Sequence, residues 1–127
     1  MQKNRLRILI KKPIEDVFAF TTDPKNTPIW VEHFAYEETS TWPPVVGTIY
    51  KNRTLDGTWS ECSVIAIRPL DFFELQSKDG IYHVQYTYTN HGDKTEMEYF
   101  EWVDSGVLEG PFAQHILERL RYIMESK

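Results

Sequence analysis

The sequence has little of what a disulfide scaffold, a metal centre or a membrane protein requires. Cys62 is the only cysteine in 127 residues, which excludes an internal disulfide and disfavours a secreted, disulfide-rich scaffold. The four histidines show neither HxH nor HExxH spacing, so we expect no metal site. No stretch approaches the ~20 apolar residues of a membrane helix, and no signal-peptide run follows the N-terminus. We therefore expect a cytoplasmic protein with no integral membrane segment.

Positive charge and nucleotide-binding motifs are also scarce. The chain has 14 Lys and Arg residues against 19 Asp and Glu residues, a net charge of −5, and a pI near 5.3. Because phosphate binding needs a basic surface, nucleic acid is not an expected partner. There is no P-loop, GxGxxG or GxSxG motif, which disfavours nucleotide hydrolases, dinucleotide enzymes and serine hydrolases. We expect no cofactor.

Aromatic residues, in contrast, are abundant. They make up 14% of the chain, with four Trp, seven Tyr and seven Phe. Each aromatic side chain buries a large area, so such a chain can line a large core or a pocket. The length is that of one domain, and we expect residues 1–127 to form a single domain.

The first third of the chain predicts one strand and two short helices. Alternating apolar and basic residues predict a strand at Arg5–Lys11. Pro13 begins a helix, which ends at Asp23-Pro24 because the residue before a proline avoids helical backbone. A second short helix is predicted to begin at Thr27-Pro28 and to extend to Phe34.

The middle of the chain predicts a meander of antiparallel strands. The dipeptides Asp56-Gly57, Asp79-Gly80 and His91-Gly92 mark turns about 11 or 12 residues apart, with Pro69 between the first two. The predicted strands are Tyr36–Thr41, Thr48–Leu55, Trp59–Ile67, Phe72–Ser77, Tyr82–Thr89 and Thr95–Val103.

The last element predicted is an amphipathic helix at Phe112–Glu125. Its apolar residues occupy one arc of a helical wheel, so the helix must lie on an apolar surface. Helices between the strands, which a parallel α/β fold requires, are missing. The element order therefore predicts an α+β fold, in which a curved seven-stranded antiparallel sheet wraps around the long C-terminal helix.

Two motifs carry a resemblance to a known superfamily. The segments IKKPIEDVF at Ile10–Phe18 and TDPKNTPIW at Thr22–Trp30 resemble the START-like, polyketide-cyclase-like (SRPBCC) superfamily, which includes the birch pollen allergen fold. Val46-Gly47-Thr48 and the segment Val64–Pro69 also fit. The resemblance implies a helix-grip fold. The superfamily includes lipid and hormone carriers, aromatase/cyclases, quinone-binding proteins and co-chaperone-like activators, so fold alone does not select an activity.

A row of tyrosines is the main candidate for ligand contact. Tyr82, Val84, Tyr86 and Tyr88 share one face of a predicted strand, and we expect that face to be interior. Pockets combine apolar walls with a few polar groups, so the row can grip an amphipathic ligand. The alternative is an aromatic core whose hydroxyls bind backbone or water.

On the last strand, the apolar pattern changes phase. We expect a bulge near Tyr99-Phe100 that keeps Tyr99, Phe100 and Trp102 inside and places Glu96, Glu98 and Glu101 in solvent.

Two charged residues are candidates for catalysis. Glu61 shares a strand face with Trp59, and an interior position would raise its pKa and suit it to acid–base chemistry. The opposite face, with Cys62 and Val64, is an equally good interior face, and it would place Glu61 in water. Arg119 flanks the apolar arc of the last helix, where it can meet a ligand anion or extend to the surface.

These observations define a candidate site and three candidate functions. The first function is binding of a small hydrophobic or aromatic ligand, such as a lipid, polyketide or quinone, between sheet and C-terminal helix. The second is a polyketide cyclase- or dehydratase-like enzyme, and the third is a chaperone-activator-like interaction module. We expect a monomer or homodimer. The candidate ligand-binding residues are Trp30, Trp59, Tyr82, Tyr86, Tyr88, Tyr99, Phe112, His115, Ile116 and Arg119.

Overall fold

The fold is described by a computed structural model that covers residues 2–127. Its strands and helices follow the predicted order. In chain order they are β1 (Gln2–Ile10), α1 (Ile14–Thr22), α2 (Thr27–Trp30), β2 (Phe34–Thr39), β3 (Ile49–Thr54), β4 (Trp59–Arg68), β5 (Phe72–Ser77), β6 (Tyr82–Asn90), β7 (Thr95–Val103) and α3 (Gln114–Glu125).

All strands belong to one antiparallel sheet. The seven strands lie in the order β1-β7-β6-β5-β4-β3-β2, so β2 to β7 form a meander and β1 pairs with β7. The sheet curls into a half-barrel that holds the helices on its inner face. This arrangement confirms the predicted α+β helix-grip fold.

The second helix and the last helix have bounds that differ from the prediction. The second helix stops at Trp30, since Val31 is extended (φ −101°, ψ 94°), and Phe34 begins β2. The last helix begins at Gln114 and not at Phe112. The Phe112 N–H donates to the Glu101 carboxylate at 2.6 Å, and its carbonyl accepts from Asn4 Nδ2 at 2.9 Å, so both backbone groups are bound outside the helix. Ala113, at the N-cap, is extended (φ −107°, ψ 147°).

Strand β7 runs without the predicted bulge. It pairs residue by residue with both neighbours, and its burial alternates strictly along nine residues. Glu101 therefore faces the interior, and the expectation that all three glutamates lie in solvent was wrong for this residue. Phe100 and Trp102 lie on the outer face, where the Arg5 guanidinium covers Phe100 at 4.1 Å and His83 stacks on Trp102 at 4.8 Å. The register instead shifts in β2 and in β4, between Val64 and Ala66.

Helix α3 packs chiefly against β1 and closes one end of the core. Ile116, Leu117, Leu120 and Met124 are buried, and Leu117 and Leu120 are completely inaccessible to solvent. Within residues 2–127, no helix has the length and apolar character needed to span a membrane.

Candidate functional site

A cavity of about 250 Å³ lies between the inner face of the sheet, the α1–α2 region and the segment that precedes α3. Aromatic residues form a large part of its walls. The aromatic lining residues are Phe34, Tyr50, Phe73, Tyr82, Tyr86, Tyr99 and Phe112. The polar side chains that complete the lining include Thr21, Thr27, His33, Glu37, Asn52, Glu101 and Glu109.

The position of the cavity corrects one expectation. We predicted a cavity between the sheet and the C-terminal helix, but no residue of α3 lines it. The apolar arc of α3 instead packs against β1 and α2, where Ile116, Leu117, Leu120 and Met124 are buried. The cavity lies farther along the sheet, beside β2 and the residues Gly110 and Phe112 that precede α3.

The aromatic walls hold one another in place. The Phe112 ring stacks on Tyr99 with a centroid distance of 4.1 Å, and Tyr86 meets Phe73 edge to face at 5.8 Å. Trp30 is fully buried behind this wall, with edge contacts to Tyr86 at 6.3 Å and to Phe112 at 6.1 Å. Such edge and stacked pairs restrict the rings, so the cavity is preformed.

The predicted tyrosine row is interior, but its three hydroxyls have different environments. Tyr88 shares a hydrogen bond with Thr21 Oγ1 at 2.7 Å and does not line the cavity. Tyr82 donates to Glu101 Oε1 at 2.7 Å and lies 3.3 Å from the Tyr99 hydroxyl. Tyr86 makes no hydrogen bond with any other residue of the described chain, so its hydroxyl is open to the cavity. Burial raises the pKa of all three side chains, which keeps the hydroxyls protonated.

Glu101 anchors the polar end of the cavity. Its Oε1 accepts from Tyr82, and its Oε2 accepts from Asn4 Nδ2 at 2.8 Å and from the Phe112 N–H at 2.6 Å. The carboxylate thus ties β1, β6, β7 and the segment before α3 together. These donors compensate for the lost water and explain why an acid is tolerated in the core.

Glu37 is a further carboxyl group in the cavity, and no sequence pattern indicated it. Oε1 accepts from Thr27 Oγ1 at 2.6 Å, while Oε2 has only Asn52 Nδ2 at 3.5 Å, the limit of a hydrogen bond. Burial raises the pKa of Glu37 to about 7. A carboxyl group that titrates near neutrality inside a cavity is typical of a functional site. The neighbouring acid, Glu38, is exposed, and the strand pattern does not indicate which of the two is interior.

Comparison with known proteins identifies solved structures that share this architecture. No family model and no curated protein matches the chain. Solved structures do match, at low identity. The Aha1 dimer from Colwellia psychrerythraea is 16% identical with a TM-score of 0.65, and the match covers 99% of this chain and 92% of that one. Norcoclaurine synthase from Thalictrum flavum, in complex with dopamine and hydroxybenzaldehyde, is 14% identical with a TM-score of 0.64 over 99% and 88%. DynU16, a putative protein in the dynemicin biosynthetic locus, is 19% identical with a TM-score of 0.67 over 98% of this chain and 45% of that one.

The chain has a START-like fold. The likeness covers nearly the whole chain and confirms the resemblance drawn from the two sequence motifs, as a statement about fold.

The START-like sheet places Trp59 and Glu61 outside the cavity. On β4, Cys62 lines the cavity and Val64 is buried, so the alternate residues face outward. Glu61 lies 3.8 Å from Lys78 Nζ, and Trp59 packs against Tyr36 at the surface. Their position does not fit ligand contact or catalysis in this cavity. Burial raises the pKa of Cys62 to about 11, so its thiol stays neutral and is not an activated nucleophile.

The candidates on α3 also lie away from the cavity. His115 and Arg119 are exposed; His115 Nε2 lies 2.5 Å from Glu32, and Arg119 Nε donates to the Ile29 carbonyl at 3.0 Å. Ile116 is a core residue. Of the predicted ligand-binding residues, the structure brings four together around the cavity. These are Tyr82, Tyr86, Tyr99 and Phe112.

The described residues contain no group of three His, Cys, Asp or Glu side chains placed to hold a metal ion.

Proposed function

We propose that residues 1–127 act as a single START-like domain that binds a small aromatic molecule with a hydroxyl or carbonyl group. The observation that carries the proposal is the free hydroxyl of Tyr86 in a cavity with aromatic walls. The Tyr86 hydroxyl has no protein partner among the described residues, so a ligand can form a hydrogen bond with it without breaking one inside the protein. The rings around it supply the apolar contact area.

The size of the cavity narrows the ligand class. A volume of about 250 Å³ is below the ~300–1,000 Å³ of pockets for drug-sized ligands. It is larger than the ~150 Å³ cavity that holds benzene in an engineered protein. One ring, or two fused rings, suits this space better than a long-chain lipid. Norcoclaurine synthase, a fold neighbour, is known in complex with molecules of this size.

A second candidate function is proton-transfer catalysis, as in a cyclase or dehydratase. It is supported by Glu37, whose pKa of about 7 lets the same carboxyl group accept and donate a proton at neutral pH. Glu61 and Arg119 lie outside the cavity and do not support it. The third candidate, an interaction module, is favoured by a collapsed core, and the cavity of about 250 Å³ lies slightly below the ~300 Å³ lower end of ligand pockets. A monomer or homodimer remains a prediction.

Matched tyrosine variants test the binding proposal. We would titrate the chain with tyrosol, 2-(4-hydroxyphenyl)ethanol, and follow tryptophan fluorescence and melting temperature. Tyr86→Phe should weaken tyrosol by about 0.5–1.5 kcal/mol, the net value of one neutral hydrogen bond, and leave ethylbenzene binding unchanged. Fold stability should hardly change, because the Tyr86 hydroxyl has no protein partner.

Tyr88→Phe is the control, because its hydroxyl binds Thr21 inside the protein. It should cost about 1 kcal/mol of stability and leave tyrosol affinity unchanged. A Tyr86→Phe variant with reduced stability and unaltered affinity would contradict the proposal. Mass spectrometry of the recovered ligand separates the first two functions, since binding alone returns the ligand unchanged.

A further inference from the structure

Among the described residues, the lining of the cavity contains acidic side chains without lysine or arginine. Three acids line it, Glu37, Glu101 and Glu109, and within residues 2–127 no lysine or arginine does. His33 is the only basic side chain of the lining, and burial lowers its pKa, so its imidazole is neutral at neutral pH. A carboxylate ligand would therefore enter a site that has acids and no positive charge to pair with it.

The two inner acids differ in their remaining capacity for hydrogen bonds. Glu101 already accepts from Tyr82, Asn4 and the Phe112 N–H. Glu37 has one close donor, Thr27, and its Oε2 has only the long contact to Asn52. Glu37 is thus the carboxyl group that is free to receive a donor from a ligand.

Glu37 also lies close to the aromatic walls. Burial is the largest cause of the raised pKa of Tyr50 and of Cys62, and the charge of Glu37 is the next largest cause. Both residues line the same cavity. Aromatic rings attract a cation over their faces, and Tyr50 and Phe73, which meet edge to face at 5.4 Å, both line the cavity. A carboxylate beside aromatic rings is the combination that recognises an organic ammonium group.

We infer that the ligand is a small aromatic amine, bound with its ammonium group at Glu37 and its ring between the tyrosine and phenylalanine side chains of the cavity. This inference rests on the proposed function and adds to it the charge of the ligand. The Tyr86 hydroxyl then accepts a hydrogen bond from the ligand, and fatty acids and other carboxylates are rejected. Ammonium and carboxylate form charge-assisted hydrogen bonds, which are stronger than neutral ones.

Three ligands of nearly equal size test the inference. Tyramine carries an ammonium, tyrosol a hydroxyl and 4-hydroxyphenylacetate a carboxylate on the same phenol. By calorimetry at about pH 8, where the alkyl ammonium remains charged, tyramine should bind about tenfold more tightly than tyrosol. 4-Hydroxyphenylacetate should bind most weakly of the three.

Glu37→Gln keeps the size of the side chain and removes its charge. In this variant tyramine should lose much more affinity than tyrosol, so that the two ligands bind within about twofold of each other. Glu38→Gln is the matched control, because Glu38 is the next residue on β2 and is exposed. It should leave all three affinities unaltered.

A pH series on the unmodified chain gives a second measurement that needs no variant. Tyramine affinity should rise between about pH 6 and pH 8 as Glu37 ionises, and it should rise more steeply than tyrosol affinity. Equal binding of 4-hydroxyphenylacetate and tyramine, a tyramine preference that survives Glu37→Gln, or a level tyramine profile would each overturn the inference and leave the proposed function standing. If none of the three ligands binds, the proposed function fails as well.

Discussion

Two carboxyl groups in one cavity show how local contacts determine the behaviour of a residue. Glu101 receives hydrogen bonds from Asn4, Tyr82 and the Phe112 backbone, so it is part of the structure that fixes the cavity wall. Glu37 has fewer donors, and burial dominates its titration. We therefore treat Glu101 as a positioning residue and Glu37 as the group available to a ligand.

The raised pKa of Glu37 makes fold stability depend on pH. Its ordinary pKa is 4.5, and its value in the folded protein is about 7, so the folded state binds the proton more tightly than the unfolded chain does. The contribution of this proton to stability is full below pH 4.5 and is lost as the pH rises to about 7. The melting temperature of the unmodified chain should therefore fall relative to that of Glu37→Gln across this window.

The comparison between the two proteins isolates Glu37. The pKa values of Glu32, Asp56 and Asp79 are lowered in the folded protein, chiefly by side-chain hydrogen bonds, and their effect of opposite sign is common to both. Glu38→Gln should reproduce the pH dependence of the unmodified chain. A difference in melting temperature that is constant from acid to neutral pH would show that Glu37 is not desolvated as described.

The sequence pattern identified the tyrosines of the cavity and missed Glu37 and Glu101, for an identifiable reason. An alternating pattern gives the faces of a strand, and the face with Tyr82, Tyr86 and Tyr88 was assigned correctly. The interior position of Glu101 depends on donors 11 and 97 residues away in the chain, from Phe112 and Asn4. No local pattern indicates such partners, so an acid on a strand is interpreted as exposed.

At the scale of elements, the strands followed from the sequence more reliably than their irregularities did. The bounds of β5 and β7 agree with the prediction, and β4 extends one residue farther, to Arg68. The bulge was expected in β7 because Phe100 and Trp102 are aromatic. Both faces of β7 carry aromatic rings. On the outer face, Arg5 covers Phe100 and His83 stacks on Trp102. These covering residues belong to other strands, so the pattern of β7 alone does not indicate them.

Helix α3 offers the most direct test of element packing. Leu120 is completely buried, so Leu120→Asp would place an unpaired charge in the core. We expect a loss of at least about 3 kcal/mol in the free energy of unfolding, enough to unfold a domain of marginal stability.

Tyr122→Asp is the control on the same helix, because Tyr122 is 75% exposed. Urea unfolding should show a change within about 0.5 kcal/mol for this variant. Similar stability of the two variants would contradict the packing of α3 on the sheet.

At the scale of the whole molecule, the cavity exists because helix α3 covers only part of the inner face of the sheet. Helix α3 fills the region above β1, and the segment with Gly110 and Phe112 covers the remainder incompletely. The element order and the aromatic content predicted a cavity against the sheet, and the structure has one, with aromatic residues and three acids in its lining. Its position could not be predicted, because a void is set by the mutual packing of all elements and not by the pattern of any one.

The central claim is that a small aromatic molecule occupies this cavity. Isotope-filtered nuclear Overhauser spectroscopy of the complex with tyrosol tests it most directly, because the signal requires that ligand and protein protons be close together. The account predicts cross-peaks from the ligand ring to the methyl groups of Leu75 and Val84, which line the cavity. Cross-peaks to the exposed methyl groups of Val46 and Ile65, without any to Leu75 and Val84, would contradict it.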